Sequence, residues 1–161
     1  MSNAPATDSC GIPCLVTDIG GTNCRCVLFR DDVIIAELTF DTKKYTSLSH
    51  CLKTFLEGKN ANDYPKVAVI GIAGPVENNR IQEMNNIPWP TFSGDELAQE
   101  LGILSCKVIN DFTAVGYGIL GLNDSDVVNM NPNTSEVAGM PKAVIGAGTG
   151  LGVGYLTSHD N

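Results

Sequence analysis

Residues 14–40 read CLVTDIGGTNCRCVLFRDDVIIAELTF, and this stretch decides the fold. Three apolar segments, CLVTDIG, NCRCVLFR and VIIAELTF, follow one another with Gly21-Thr22 and Asp31-Asp32 between them. Runs rich in Val, Ile, Leu and Phe, broken by short glycine or polar pairs, predict an antiparallel meander of three strands. Cys24 and Cys26 stand two apart on the second strand, so both side chains turn to one face and suit small buried thiols.

Beyond the meander, Thr46 to Leu56 carries Leu48, Cys51, Leu52, Phe55 and Leu56 at helical spacing, with Gly58 after it, which predicts an amphipathic helix. Lys66 to Ala73, KVAVIGIA, is nearly all apolar and predicts a strand buried on both faces. A turn at Gly74-Pro75, a strand near Arg80 to Met84 and the loop NNIPWP come next, in which Trp89 is expected to pack rather than to stack on a ligand. Ser93 with Glu96 three residues on is a capping-box signature for a short helix that Gly102 closes. Ser105 to Ile109 reads as a strand, Phe112 to Leu120 as an apolar helix, and the polar stretch from Asn123 to Pro141 as a linker. KAVIGAGTGLGVGYLTS then repeats the grammar of the first hairpin: strand, glycine turn, strand. Strands followed by alternating helix and strand make an α/β domain.

Composition narrows the function. The 161 residues, 43% hydrophobic and 17% charged, are those of a globular protein with a packed core. A net charge of −8 and a single adjacent basic pair, Lys43-Lys44, exclude a contiguous basic face, so neither nucleic acid nor an acidic membrane surface is an expected partner. The apolar stretch from Ala143 to Leu156 is broken by glycines and falls short of the roughly 18 to 20 residues of a membrane helix. The first dozen residues lack a basic start and an apolar run, so no signal peptide is expected and the cytoplasm is the default compartment. The six cysteines contain no CxxC pair and the two histidines hold no ligand spacing to them, which favours reduced structural thiols over a metal or redox role.

The candidate chemistry lies in the turns. Asp18-Ile19-Gly20-Gly21-Thr22 and Gly146-Ala147-Gly148-Thr149-Gly150 could each present backbone N–H groups and a threonine hydroxyl to phosphate oxygens, though either alone also reads as a tight turn. Asp18 reads either as a turn-capping carboxylate or as an anchor for Mg²⁺ reached through water. No glycine is followed by Lys-Ser or Lys-Thr, which excludes a Walker loop, and Leu151 with a strand after it excludes a dinucleotide fingerprint at Gly146 and Gly148. Asn110-Asp111, at the end of a strand and the start of a helix, occupies the usual ligand position of open α/β sheets. Asp111 there reads either as an N-cap or as a base that accepts a hydroxyl proton during phosphoryl transfer, ionised with help from the helix dipole.

Four segments, VTDIGGTNCRCVLF, IGIAGPVENNRIQEMNNIPW, VINDFTAVGYGI and KAVIGAGTGLGVGYL, together resemble the bacterial-type glucokinases of the actin and sugar-kinase superfamily, in the family's order and from Cys14 to Leu156. The resemblance implies an actin-like ATPase (ribonuclease H-like) α/β domain with a mixed sheet, followed by the first β-hairpin of a second, similar domain. It implies transfer of the γ-phosphoryl group of ATP to the 6-hydroxyl of glucose, the first step of glycolysis, with Mg²⁺ as cofactor. Thr17, Asp18, Ile19, Gly20, Gly21 and Thr22 would form the first phosphate loop and Gly146, Gly148, Thr149 and Gly150 the second, both gripping one nucleotide. Asp18 would organise the metal through water. Asp111 would be the catalytic base, Asn110 would bind a neighbouring sugar hydroxyl, and Gly74, Pro75 and Asn86 would border the sugar pocket.

The resulting expectation is a disordered tail at 1–13, a sugar-kinase domain at 14–122, a crossover linker at 123–141, and the start of a second, truncated domain at 142–161. Family members run to about twice this length, so the chain alone is expected to have little or no kinase activity, and Lys142 to Thr157 to be poorly ordered or to borrow a partner. A homodimer is compatible with this reading. The competing readings are a non-catalytic sugar-sensing regulator of the same fold, against which Asp111 weighs, and a filament-forming relative of actin that uses ATP without sugar.

Overall fold

The computed structural model describes residues 11–31, 33–84, 86–134, 137, 139–147 and 151–157. Most of the expected tail, and Gly148, Thr149 and Gly150 of the second glycine turn, lie outside these described residues. The chain divides into two compact units, residues 1–109 and 110–161.

The first unit contains β1 (Cys14–Ile19), β2 (Asn23–Arg30), β3 (Val33–Asp41), α1 (Leu48–Leu56), β4 (Val67–Ile72), β5 (Val76–Glu77), β6 (Arg80–Ile81), α2 (Gly94–Leu101) and β7, which runs over Ser105–Asn110. Its five-stranded sheet has the order β3-β2-β1-β4-β7. The meander is present, with β1 antiparallel to β2 and β2 to β3, while β4 joins β1 in parallel and makes the sheet mixed. Alternation along each strand sends one set of side chains inward. Leu15 and Ile19 of β1, Cys24, Cys26 and Leu28 of β2, and Ala68, Ile70 and Ile72 of β4 are buried with Cys51, Leu52, Phe55 and Leu56 of α1 and Leu97 and Leu101 of α2. Each fully buried aliphatic side chain there contributes roughly 1.5 to 3 kcal/mol through water released from its surface. β4 differs from the expectation of burial on both faces. Val67 and Val69 are half-buried, because α1 and α2 cover the other face, to which Ala68, Ile70 and Ile72 point.

Local signals place the helices. The Ser47 hydroxyl accepts from the His50 N–H at 3.1 Å and starts α1. Ser93 and Glu96 form the predicted capping box of α2, the Glu96 N–H donating to Ser93 Oγ at 3.2 Å and the Ser93 N–H to Glu96 Oε2 at 2.9 Å. Gly102 ends α2 in the left-handed conformation, φ 67°. The strand expected near Arg80 to Met84 is shorter than predicted. Asn78 and Asn79, with φ of 49° and 60°, turn the chain back so that β5 pairs with β6. Such a two-residue turn needs positive φ, which Asn tolerates. Residues 11–13, expected within the tail, are tied to the sheet: the Gly11 N–H donates to Asp31 Oδ2 at 3.0 Å and the Lys66 N–H to the Pro13 carbonyl at 2.9 Å.

The second unit holds α3 (Asp111–Ile119) and an antiparallel hairpin of β8 (Lys142–Ala147) and β9 (Leu151–Leu156). Where the spacing predicts a boundary after Leu122, α3 instead groups with the hairpin. The reason is Phe112, whose ring lies against Gly146 and Gly152. A β-carbon at Gly146 would stand 2.5 Å from Phe112 Cζ, and one at Gly152 would overlap the ring outright. Leu156 closes on Gly116 in the same way, 3.3 Å from where a β-carbon would sit. The hairpin thus finds its apolar cover on α3. Among the described residues no helix is long and apolar enough to cross a membrane.

Candidate active site

The turn Gly20-Gly21-Thr22 leads from β1 into β2. The Gly20 N–H closes it onto the Asn23 carbonyl at 2.9 Å. Thr42, fully buried, holds it from behind: its N–H donates to the Thr22 carbonyl at 2.9 Å, and its hydroxyl lies 3.0 Å from the Thr22 carbonyl and 3.3 Å from that of Gly21. Trp89 in turn fixes this segment, its indole N–H shared between the carbonyls of Thr42 (3.1 Å) and Tyr45 (2.8 Å). Trp89 is therefore a packing residue, as expected.

Asp18, Gly20, Gly21, Thr22, Asn23, Arg25 and Thr39 line a concavity of about 430 Å³. Four of the predicted phosphate-loop residues thus meet in one place. Thr17 and Ile19 do not line it: they are 2% and 1% exposed, with side chains on the inner face of the sheet. Strand alternation separates them from Asp18, so they can serve a ligand through the main chain alone. Asp18 is exposed on the opposite face, with Arg25 across from it on β2 and Gly71, which has no side chain, across from it on β4.

Arg25 and Thr39 escaped the sequence reading. They become neighbours of Asp18 through strand register, Asp18 opposite Arg25 and Arg25 opposite Thr39. Counting outward from the glycine turn in steps of two would have found Arg25. Its guanidinium also pairs with Glu37 at 2.6 Å, both side chains being exposed, so it is a held but solvated cation at the rim.

Three of the predicted sugar-side residues, Gly74, Pro75 and Asn86, belong to the first unit with this turn. The Ala73 N–H donates to the Ile19 carbonyl at 3.4 Å, so the Gly74-Pro75 loop leaves the sheet beside the end of β1. Gly74 has φ 153°, and a β-carbon there would meet Ile81 Cδ1 at 2.9 Å and the Glu83 carbonyl at 3.1 Å, so glycine is required. The Pro75 carbonyl accepts from the Gln82 N–H at 2.9 Å and closes the loop. Asn86, exposed and at φ 63°, stands so near Gly21 that a β-carbon on Gly21 would lie 3.4 Å from Asn86 Cβ.

In the second unit the capping residue of α3 is Asn110. Its Oδ1 accepts from the N–H groups of Phe112 (2.9 Å) and Thr113 (3.3 Å). Asp111 occupies the first turn, where its carboxylate accepts from the Phe112 N–H at 2.9 Å and benefits from the positive end of the helix dipole. It is half-buried. A larger concavity of about 720 Å³ on this unit is walled by Asn110, Phe112, Tyr117, Met140 and Tyr155 among others, and Asp111 does not line it. Gly146, assigned to the second phosphate turn, is accounted for by the Phe112 ring; Gly148, Thr149 and Gly150 lie outside the described residues.

Comparison with known proteins places this arrangement. A glucokinase from a Nostoc species is 38% identical over 154 residues, covering 91% of this chain and 44% of that protein. One from Tolumonas auensis is 38% identical over 144 residues, with 88% and 43% covered. The crystal structure of a glucokinase from an Antarctic psychrotroph superposes with a TM-score of 0.75 at 30% identity, covering 91% of this chain and 49% of that one. A ROK family glucokinase from Streptomyces griseus, solved with glucose and AMPPNP, shares the fold with a TM-score of 0.64 at 20% identity, over 90% and 44% of the two chains. The chain thus spans less than half the length of these relatives. The glucokinase family model matches residues 15–161, nearly all of the sequence, and the chain belongs to the glucokinase family.

Proposed function

We propose that the protein carrying this chain phosphorylates glucose at its 6-hydroxyl with ATP and Mg²⁺ in the cytoplasm, and that this chain contributes the first phosphate turn and the proton acceptor. The observation that carries the reading is the clustering of Asp18, Gly20, Gly21 and Thr22 around one concavity, with Arg25 at its rim and Asn86 against Gly21. The Gly20 N–H is spent inside the turn, so Gly21 and Thr22 supply the backbone and hydroxyl donors for phosphate oxygens. Arg25 adds a cation.

The donor set suits the metal. Mg²⁺ keeps several waters and takes one or two carboxylates, and a single exposed Asp18 on the wall of the concavity offers a hard oxygen to such a hydrated ion. When bound, Mg²⁺-ATP supplies the phosphoryl group and neutralises its charge. Asp111 receives the proton of the attacking hydroxyl, and the hydrogen bond from the Phe112 N–H holds its carboxylate in place at the start of α3. Asn110, its side-chain oxygen fixed by capping, orients a neighbouring sugar hydroxyl; Gly74, Pro75 and Asn86 border the sugar. Gly146, Gly148, Thr149 and Gly150 serve the nucleotide phosphates as a second turn, with backbone N–H groups and the threonine hydroxyl as donors.

The test is glucose-dependent ADP release by the whole protein. Asp111→Ala is expected to abolish release while glucose binding, followed by calorimetry, persists. Turnover near that of the natural protein after this substitution would remove Asp111 from the mechanism.

A further inference from the structure

Cys24, Cys26 and Cys51 meet in the core of the first unit, all with no exposed surface. Their three Sγ atoms lie within 4.8 Å of one another, those of Cys24 and Cys26 at 3.8 Å. Strand alternation brings the first two to the inner face of β2, and α1 lowers Cys51 onto them. We infer that Cys24, Cys26 and Cys51 form a closed, all-sulfur site for one soft monovalent d¹⁰ cation of the Cu(I) class.

Geometry comes first. With metal–sulfur bonds of about 2.3 Å, three sulfurs in a trigonal plane stand roughly 4.0 Å apart, so the cluster needs adjustments below an ångström. Softness comes second, because among the described residues the group is three thiols with no His, Asp or Glu in it, and such sets select Cu(I), zinc or iron–sulfur clusters. Coordination number then separates these. Structural zinc takes four protein ligands and catalytic zinc adds a water, whereas this site offers three sulfurs and no exposed surface through which water would enter. His50, next in sequence to Cys51, has its Nδ1 engaged with Thr46 Oγ1 at 3.3 Å.

A second observation points the same way. Thr17 Oγ1 is buried without a hydrogen-bond partner, on the inner face directly opposite Cys26. An orphaned hydroxyl is costly in a core, and a metal-bound thiolate at Cys26, across the strand pair, is the hydrogen-bond acceptor that register offers it. The site is independent of the phosphate turn, although β2 begins directly after that turn.

The experiment is an anaerobic titration of the reduced chain with Cu(I) against a chromophoric Cu(I) chelator. One equivalent is expected to bind, with thiolate-to-copper absorption in the near ultraviolet and a raised Tm. Replacing Cys10, Cys14 and Cys106 together by Ser is expected to leave that end point in place, and Cys51→Ala to remove it. Should Cys51→Ala not fold, alkylation of the natural chain in moderate denaturant decides. Copper is expected to protect Cys24, Cys26 and Cys51 as a set while Cys14 and Cys106 react. Absence of one-equivalent uptake, uniform alkylation, an end point that survives in folded Cys51→Ala, or uptake of zinc in preference to Cu(I) overturns the assignment.

Discussion

The Phe112 ring occupies the space that a side chain at Gly152 would fill. Three glycines of the second hairpin, Gly146, Gly152 and Gly154, face Phe112, the last with a β-carbon position 3.6 Å from the Phe112 carbonyl. At Gly146 and Gly152 glycine is a packing requirement of α3 on β8 and β9, whatever the turn between the strands does for a ligand.

Gly152→Ala should therefore lower stability by about 1 to 3 kcal/mol through overpacking. Phe112→Leu, which shortens the ring side, should absorb part of that cost. A double-mutant cycle in urea tests this: additive effects would show that the two positions do not share the space.

Thr42→Val removes the hydroxyl that braces the Gly21 and Thr22 carbonyls and should cost about 1 kcal/mol. It should also weaken binding of Mg²⁺-ATP, since the turn loses its backing. Asp18→Asn, at an exposed position, should leave the melting temperature in place and weaken binding only when Mg²⁺ is present. Calorimetric titration with and without the metal separates the two.

Asn79 clamps the exposed side of β7. Its Nδ2 donates to the Cys106 carbonyl at 3.0 Å and its Oδ1 accepts from the Val108 N–H at 2.8 Å, as a neighbouring strand would. Asn79→Gly keeps the positive φ but deletes the clamp, and should destabilise by about 1 to 3 kcal/mol. Amide exchange at Val108 should accelerate; unchanged protection there would dismiss the clamp.

Glu96 is held below its ordinary carboxyl value of 4.5, first by the hydrogen bond from Arg80, at 2.5 Å, and then by the capping bonds with Ser93. A depressed folded value means that the stabilisation is present above the unfolded value and fades as the pH falls through the folded one. The natural chain should thus exceed Glu96→Gln in urea midpoint near neutrality and converge with it as the pH falls through the folded value, which lies below 4.5. A gap that persists in acid would assign the difference to packing.

Much of the fold was legible because its signals are local. The alternation in residues 14–40, the Ser93 and Glu96 pair and the glycine after α2 each act within a few residues, and each element formed near where it was expected. The candidate site was legible in part for the same reason, Asp18 and the Gly20-Gly21-Thr22 turn being one contiguous segment. Register and packing decided the rest. Arg25 reaches Asp18 only through strand pairing, Thr17 and Ile19 turn inward by alternation, and Asn86 arrives at Gly21 from far along the chain. Cys51 joins Cys24 and Cys26 because α1 folds onto β2, and Phe112 claims the glycines of the hairpin because α3 packs there. Hydrogen-bond periodicity and capping act between near neighbours and are written in residue order; which distant side chains share a cavity depends on how the elements stack to exclude water, and only the assembled tertiary structure settles that.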